Sequence, residues 1–310
     1  MVDVRRVLTS IKAQPGYTAM RMGARFSSVR RAVTVVRSAV GSGSLRAFLD
    51  QQSAQAGRSP FSSLAKEPFV SKLERDGVAF GLDLPSSTVD QIVAFAAHTP
   101  SYADRNPALG FLPQNRHMAE AKLGKPILLS QFLNTTRECS AIQDLANDPV
   151  LLWIAGRYLG SVPTFLGANL WWTYPVVALE EDRNQHAHLY HRDVDDFRFF
   201  KFFFYLTDVP EGEGAHICVV GSHKQPPILK RSDRWNIRRY TDTEIETFYP
   251  KDRIVEICGK RGKGFAENTL CIHKASTPKT TPRLLLQLQF GLFDYGVMND
   301  IVPKERMRLL

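Results

Sequence analysis

Several signatures are missing from this chain, and each absence removes a class of function. No apolar run reaches the roughly 18 residues that a membrane-spanning helix requires; the longest, over residues 197–206, is broken by Arg198 and Lys201. There is no internal repeat, no P-loop, no Gly-rich dinucleotide fingerprint and no Gly-x-Ser-x-Gly elbow. Nucleotide hydrolysis, a Rossmann cofactor and the usual hydrolase triad therefore lose their main support. Cysteine is sparse: Cys139, Cys218, Cys258 and Cys271 form no Cys-x-x-Cys pair. Such spacing fits free thiols in a reducing compartment and predicts a cytoplasmic protein without a disulfide framework.

Acidic residues are scarce in one region only. Residues 1–46 carry nine Lys or Arg against the single Asp3, whereas residues 47–310 hold 31 basic and 30 acidic side chains. A neutral body lacks the concentrated basic face that phosphate tracking needs, so no nucleic-acid partner is expected. Within the basic segment Phe26, Val29, Val33, Val36 and Val40 recur at helical spacing, which predicts an amphipathic helix. That helix suits peripheral contact between residues 1–46 and an anionic membrane surface or a partner, or packing on the body; an Arg- and Ser-rich organellar transit peptide has the same composition. Residues 41–44 and 51–63 are crowded with Gly, Ser, Gln and Ala and are expected to be linkers. The expected organisation is thus a basic amphipathic N-terminal segment with linker over 1–63 and a domain over 64–310.

What is there in the body is a change of period. A short helix, the Asp76-Gly77 turn and a strand through Val78 and Phe80 open it. Helices follow, one from Pro85 with Ser87 as N-cap, the next from Asp148 as N-cap with Pro149 in the first turn and Gly160 as its stop. After these come short segments rich in β-branched and aromatic residues: 164–175, 197–206, 216–220, 253–258, 268–273 and 284–294. Helices first and many strands afterwards predict a mainly β fold, a sandwich or barrel with flanking helices. The run Phe197 to Tyr205 alternates poorly, which predicts a strand buried on both faces.

Three of the eight histidines fall in Gln185-His186-Ala187-His188-Leu189-Tyr190-His191-Arg192-Asp193. On an extended chain His191 and Asp193 project from the same face, so an imidazole and a carboxylate can bind one metal ion as neighbours. His273 ends the apolar stretch Leu270-Cys271-Ile272, and a returning strand can bring it alongside. Two His and one carboxylate leave open positions on the metal, the arrangement of non-haem Fe(II) oxygenases. Arg283, ten residues after His273, opens an apolar strand where a guanidinium is costly unless it meets an anion. His186 and His188 are an alternative metal pair of cupin type, but the expected Glu is replaced by His191-Arg192. His216 and His223 are expected to be structural; Trp171 and Trp172 straddle both faces of their strand, which leaves room for one of them to face a substrate.

His-x-Asp, a distal His and an Arg about ten residues on resemble the Fe(II)- and 2-oxoglutarate-dependent dioxygenases, and the flanks resemble the phytanoyl-CoA dioxygenase branch. The likeness spans roughly residues 69–295 and includes Asp76-Gly77-Val78, Leu159-Gly160, Tyr205-Leu206-Thr207-Asp208-Val209 and Gly221-Ser222-His223-Lys224. It implies a double-stranded β-helix, a cupin-like jelly roll, with Fe(II) on His191, Asp193 and His273 and 2-oxoglutarate anchored by Arg283. It further implies decarboxylation of 2-oxoglutarate coupled to hydroxylation of a small-molecule, lipid or glycan-type substrate. Many members place a small hydroxyl residue two positions after the distal His. Here that position is Ala275, so Ser276, with Thr277 beyond it, is the nearest candidate for the co-substrate contact. A carboxylate at Asp193 disfavours halogenation. The rival readings are a jelly-roll binding or scaffold protein without catalysis and a cupin-type metal enzyme that needs no 2-oxoglutarate.

Overall fold

The computed structural model of the chain describes residues 14–177, 187–224, 226–227, 233, 238–296, 298 and 300–310. Its helices are α1 (Pro15–Gly23), α2 (Ser27–Val40), α3 (Ser42–Gln55), α4 (Lys66–Asp76), α5 (Ser86–His98), α6 (Arg116–Leu123), α7 (Thr135–Glu138), α8 (Ser140–Ala146), α9 (Pro149–Leu159) and α10 (Asp242–Phe248). The strands are β1 (Val78–Phe80), β2 (Ser101–Ala103), β3 (Gly110–Phe111), β4 (Leu129–Phe132), β5 (Thr164–Thr173), β6 (Phe199–Tyr205), β7 (His216–Val219), β8 (Ile254–Ile257), β9 (Gly264–Glu267), β10 (His273–Ala275) and β11 (Arg283–Gly291). An eight-stranded antiparallel sheet runs β1-β9-β6-β11-β5-β4-β2-β3, and a three-stranded sheet runs β10-β7-β8.

The period-2 pleat sorts each strand between two cores. On β6 and β11, Phe200, Phe202, Phe204, Leu284, Leu286, Leu288 and Phe290 pack under the helices with Leu73, Ile92, Leu151 and Ile154. Phe203, Tyr205 and Leu285 turn the other way and meet Cys218 and Ile257 of the small sheet. All seven residues of β6 are buried, as its poor alternation predicts. On these two strands the helix face is apolar, whereas the face between the sheets admits Lys201, Arg283, Gln287 and Gln289 from the intervening register positions. That inner face carries the site.

Local chemistry explains the best-defined helix. The Asp148 carboxylate accepts from the backbone N–H groups of Val150 and Leu151, both at 2.9 Å, and Gly160 closes α9 in the left-handed region at φ 70°. At α5 the cap differs from expectation: the helix begins at Ser86, Pro85 occupies the N-cap, and Ser87 lies inside the first turn. A strand expected over 268–273 is also displaced. The paired segment is β9, ending at Glu267. The Asn268 side chain then accepts from Leu270 N–H and its carbonyl from Cys271 N–H, which makes a turn. His273 consequently starts a strand. The apolar residues of the turn, Cys271 and Ile272, are buried by tertiary packing, and that burial rather than strand pairing is what their hydrophobicity records.

The linker expected over 51–63 is instead α3 through Gln55, a short 3-10 turn (Ala56–Arg58), and a segment whose Phe61 is buried against Phe204. Phe48 and Leu49 of α3 lie against Gly156 of α9, where an added Cβ would meet their carbons at 3.1–3.3 Å. Helix α2 forms where its period places it, but turned over. Val35, Val36 and Val40 are exposed, while the Arg37 guanidinium lies over the Phe293 ring at 5.4 Å and Arg30 donates to the Ala24 carbonyl. Long arginine stems cover apolar surface as well as valines do, which decouples hydrophobic periodicity from the buried side. Among the described residues no helix is long and apolar enough to cross a membrane, and all four cysteines are free.

Candidate metal centre

His191 and His273 are brought together by backbone pairing. They form an isolated antiparallel bridge with reciprocal N–H to carbonyl bonds of 2.9 Å, and their ring centroids are 4.2 Å apart. Asp193 is held two residues on by its N–H bond to the Thr269 carbonyl at 2.8 Å. One ligand atom from each of His191, Asp193 and His273 lies within 4.8 Å of the other two. Each imidazole has its Nδ1 on a carbonyl, Leu189 at 3.0 Å for His191 and Cys271 at 2.9 Å for His273. A carbonyl only accepts, so Nδ1 carries the proton in both rings and Nε2 presents its lone pair to Asp193. The separations are 3.7 Å from His191 Nε2 to Asp193 Oδ1 and 3.6 Å from His273 Nε2 to Asp193 Oδ2. Burial lowers the pKa of both imidazoles and keeps them neutral. Two neutral nitrogens and one carboxylate oxygen form a donor set suited to a divalent transition metal.

Lys201 sets the charge of the centre. From β6 its Nζ reaches Asp193 Oδ2 at 2.6 Å and Asp195 Oδ2 at 3.0 Å. Burial alone would raise the Asp193 pKa, but the Lys201 ammonium that bonds it outweighs burial, and the carboxyl titrates below its ordinary range. The reciprocal effect of Asp193 and Asp195 overcomes burial at Lys201 and holds it protonated.

Arg283 opens β11 opposite Thr173 and is 1% exposed. Its guanidinium donates to the Gly214 carbonyl and, at 3.0 Å, to Thr173 Oγ1, while Nε is buried without a partner. No carboxylate pairs with it among the described residues, and burial lowers its pKa. A buried guanidinium with an unmet donor could hold an anion. It shares with the triad a cavity of about 410 Å³, within the size range of small-molecule sites.

Other expected residues fall on either side of this cavity. Trp171 lines it, whereas Trp172 packs with the helix-side core. His188 is in the wall, with Nδ1 2.7 Å from Thr277 Oγ1. His186 lies outside the described residues. Ser276 is not brought to the triad: its hydroxyl donates to the Ala215 carbonyl at 2.9 Å, and it borders a neighbouring hollow. His223 bonds Cys271 Sγ and the Glu74 carbonyl and is structural, as expected.

His216 departs from that expectation. It lines the cavity, stacks on His273 with centroids 5.4 Å apart, and has Nε2 2.5 Å from Glu267 Oε2. Glu267 is fully buried and its other oxygen has no partner. Burial pushes its pKa up to about 8 and pushes that of His216 down to about 3, so a neutral carboxyl donates to a neutral imidazole. The available signal was a single acid in the otherwise apolar strand Gly264–Glu267; its partner stands 51 residues away on another sheet.

No protein-family model matches the chain, and no curated protein matches it in sequence. Among solved structures it is similar to HygX from Streptomyces hygroscopicus, crystallised with nickel and 2-oxoglutarate bound. The identity is 14%, over 74% of this chain and 87% of that one, with a TM-score of 0.50. SnoN of nogalamycin biosynthesis, in complex with Fe3+, alpha ketoglutarate and nogalamycin RO, has 17% identity over 73% and 83% of the two chains and a TM-score of 0.49. The likeness to HygX shows a shared fold.

Proposed function

We propose that this chain is an Fe(II)- and 2-oxoglutarate-dependent oxygenase that hydroxylates a small molecule with release of succinate and CO2. One observation carries the reading: a triad of two Nε2 lone pairs and a carboxylate shares one cavity wall with a buried guanidinium that has an unmet donor. The family resemblance and the fold shared with a nickel- and 2-oxoglutarate-bound protein support it. His191, Asp193 and His273 would hold the iron, and Arg283 would take the distal carboxylate of 2-oxoglutarate. Bound iron supplies the oxidation chemistry that couples 2-oxoglutarate decarboxylation to substrate hydroxylation. The protein's own part is to fix both imidazole tautomers through Leu189 and Cys271, to orient Asp193 through Lys201 and to anchor an anion at Arg283. Of the two co-substrate residues expected from the sequence, Arg283 is the one in the cavity wall.

We read the facing sheets as a double-stranded β-helix of the phytanoyl-CoA dioxygenase-like kind, on the spacing of His191, Asp193, His273 and Arg283. Residues 64–310 form the oxygenase domain in this reading, with the described part of the N-terminal segment, 14–63, packed on it. The free thiols suit the cytoplasm, and the basic N-terminal segment with exposed valines on α2 suits peripheral contact with anionic membrane.

The Lys201 ammonium at Asp193 favours a second reading, a jelly-roll binding protein that has exchanged its metal for an internal cation. Fe(II), ascorbate and labelled 2-oxoglutarate with the full chain separate the two. An oxygenase releases succinate, and His191→Ala, Asp193→Ala and His273→Ala each abolish that release together with metal binding. Absence of both metal binding and succinate from the unaltered chain would establish the binding protein.

A further inference from the structure

Two arginines at the cavity wall have no use in the chemistry above. Arg105 stands in the turn after β2, where Asp104 and Arg105 both adopt the left-handed region, at φ 53° and 60°. Consecutive non-glycine residues in that region are unusual. Here Asp104 N–H bonds the Leu129 carbonyl at 3.0 Å and Asn106 N–H the Ala103 carbonyl at 2.9 Å, which holds the turn. Arg105 lines the cavity and is exposed to water. Arg239 approaches from the opposite side of the chain order. Its neighbour Arg238 is satisfied by Asp233 and Glu244, whereas Arg239 lines the cavity with Nη1 buried and without a partner among the described residues. Neither arginine has an ion pair among the described residues. Each feels the Asp193 carboxylate, and Arg105 also feels Arg239.

Charge bookkeeping over the wall makes these two residues a surplus. The charged residues lining the cavity are Arg105, Lys201, Arg239 and Arg283 against Asp193 and Asp195. Lys201 is engaged by both carboxylates. A divalent metal and the 2-oxoglutarate dianion cancel each other, so two positive charges still face the space left for a substrate. The same wall is amide-rich: Gln131, Asn169 and Gln287 line it, with Gln131 donating to Asn169 at 2.9 Å. Amides bond hydroxyl groups, and an acyl chain would leave them and the guanidiniums unmet at a cost.

On the reading that the cavity holds metal and 2-oxoglutarate, we propose that Arg105 and Arg239 form a subsite for an oxyanion group, and that the primary substrate is a hydroxyl-rich small molecule bearing a phosphate, sulfate or carboxylate. The guanidinium pair fixes the anionic end, and the amides of the same wall bond the hydroxylated part.

The test uses the full chain loaded with Mn(II) and saturating 2-oxoglutarate without oxygen, at constant ionic strength. Glucose 6-phosphate, glucose 6-sulfate, glucuronate and glucose are titrated by calorimetry. At least one anionic sugar binds about tenfold or more tighter than glucose, as expected for charge-assisted hydrogen bonds to arginine, and comparison of the three identifies the anion. Arg239→Gln and Arg105→Asn each weaken that binding about tenfold and leave glucose binding unchanged; Asn tolerates the left-handed backbone, and a thermal melt checks folding. The subsite is overturned if no anionic sugar outbinds glucose, if binding is indifferent to Arg239→Gln, or if 2-oxoglutarate displaces the sugar, which would place the anion on Arg283. Titration of Mn(II) and 2-oxoglutarate alone reads the oxygenase assignment separately. Should neither bind, that assignment falls, and the sugar titrations on the metal-free chain still decide the subsite.

Discussion

Asp193 serves three neighbours with two oxygens: Oδ2 meets Lys201 and His273, and Oδ1 meets His191. A metal entering the triad therefore competes with an ammonium for the same carboxylate. Lys201→Met is expected to bind divalent metal more tightly than the unaltered chain while losing stability without metal, because it leaves the half-buried Asp193 and Asp195 without the ammonium that bonds both. The loss is about 3–5 kcal/mol for removal of one partner of a buried pair. Melting curves with and without Mn(II) check it: the metal-induced rise should be larger in the variant, and an equal rise would show that Lys201 and metal do not compete. Glu267 gives a second expectation, with its sign set by proton linkage. Its carboxyl titrates near 4.5 when unfolded and at about 8 when folded, so the folded chain holds a proton that the unfolded chain has released. The stabilisation is present below about pH 4.5 and is lost as pH rises toward 8, at about 1.4 kcal/mol per unit. Glu267→Gln keeps a neutral donor for His216 and removes the titration. Urea unfolding at pH 5, 6.5 and 8 should find the variant gaining on the unaltered chain at each step.

At the scale of elements, α9 is the hinge between the N-terminal helices and the sheet. Its cap Asp148 uses Oδ1 for Val150 N–H, Leu151 N–H and the Ser59 hydroxyl, the last at 3.0 Å. Asp148→Ala thus removes a helix cap and the tether of the segment that leads to Phe61. A cost of about 1–2 kcal/mol is expected from the cap alone, and Asp148→Asn, which retains an acceptor, should recover most of it. Denaturant midpoints for the two variants check this; equal losses would mean that the negative charge, not the capping bond, supports the helix.

Across the whole molecule, the first three helices act as a wall of the body. Met20 and Ala24 are buried with Val194, the residue that follows His191-x-Asp193, and α3 covers Gly156. A chain beginning at Leu64 would expose the covered face of α9 and lose the buried Phe61 from the helix-side core. It is expected to unfold at lower urea concentration than the full chain and to bind Mn(II) more weakly, since large-to-nothing changes at buried aromatics cost about 3–5 kcal/mol each. Retention of the full midpoint by the shorter chain would show that the layer is only an attachment.

The sequence by itself determined whatever rests on local period and local chemistry. The apolar strands β5, β6 and β11, the Asp148 cap and Gly160 stop, and the shared face of His191 and Asp193 are properties of a few adjacent residues. Arg283 was legible because a guanidinium at the head of a largely apolar strand has no local explanation. Strands β2, β3 and β4, of two to four residues, carry too little pattern to be read alone and exist through pairing with β5 and with one another. Tertiary structure also decided which side of α2 is buried, because arginine stems and valines are interchangeable covers. It alone joined Lys201 to Asp193 and His216 to Glu267, and placed Arg105 and Arg239 on one cavity. Each of those pairings crosses between strands or loops whose relative register is set by the sheet, and the electrostatic partner of a buried charge is a matter of distance in space.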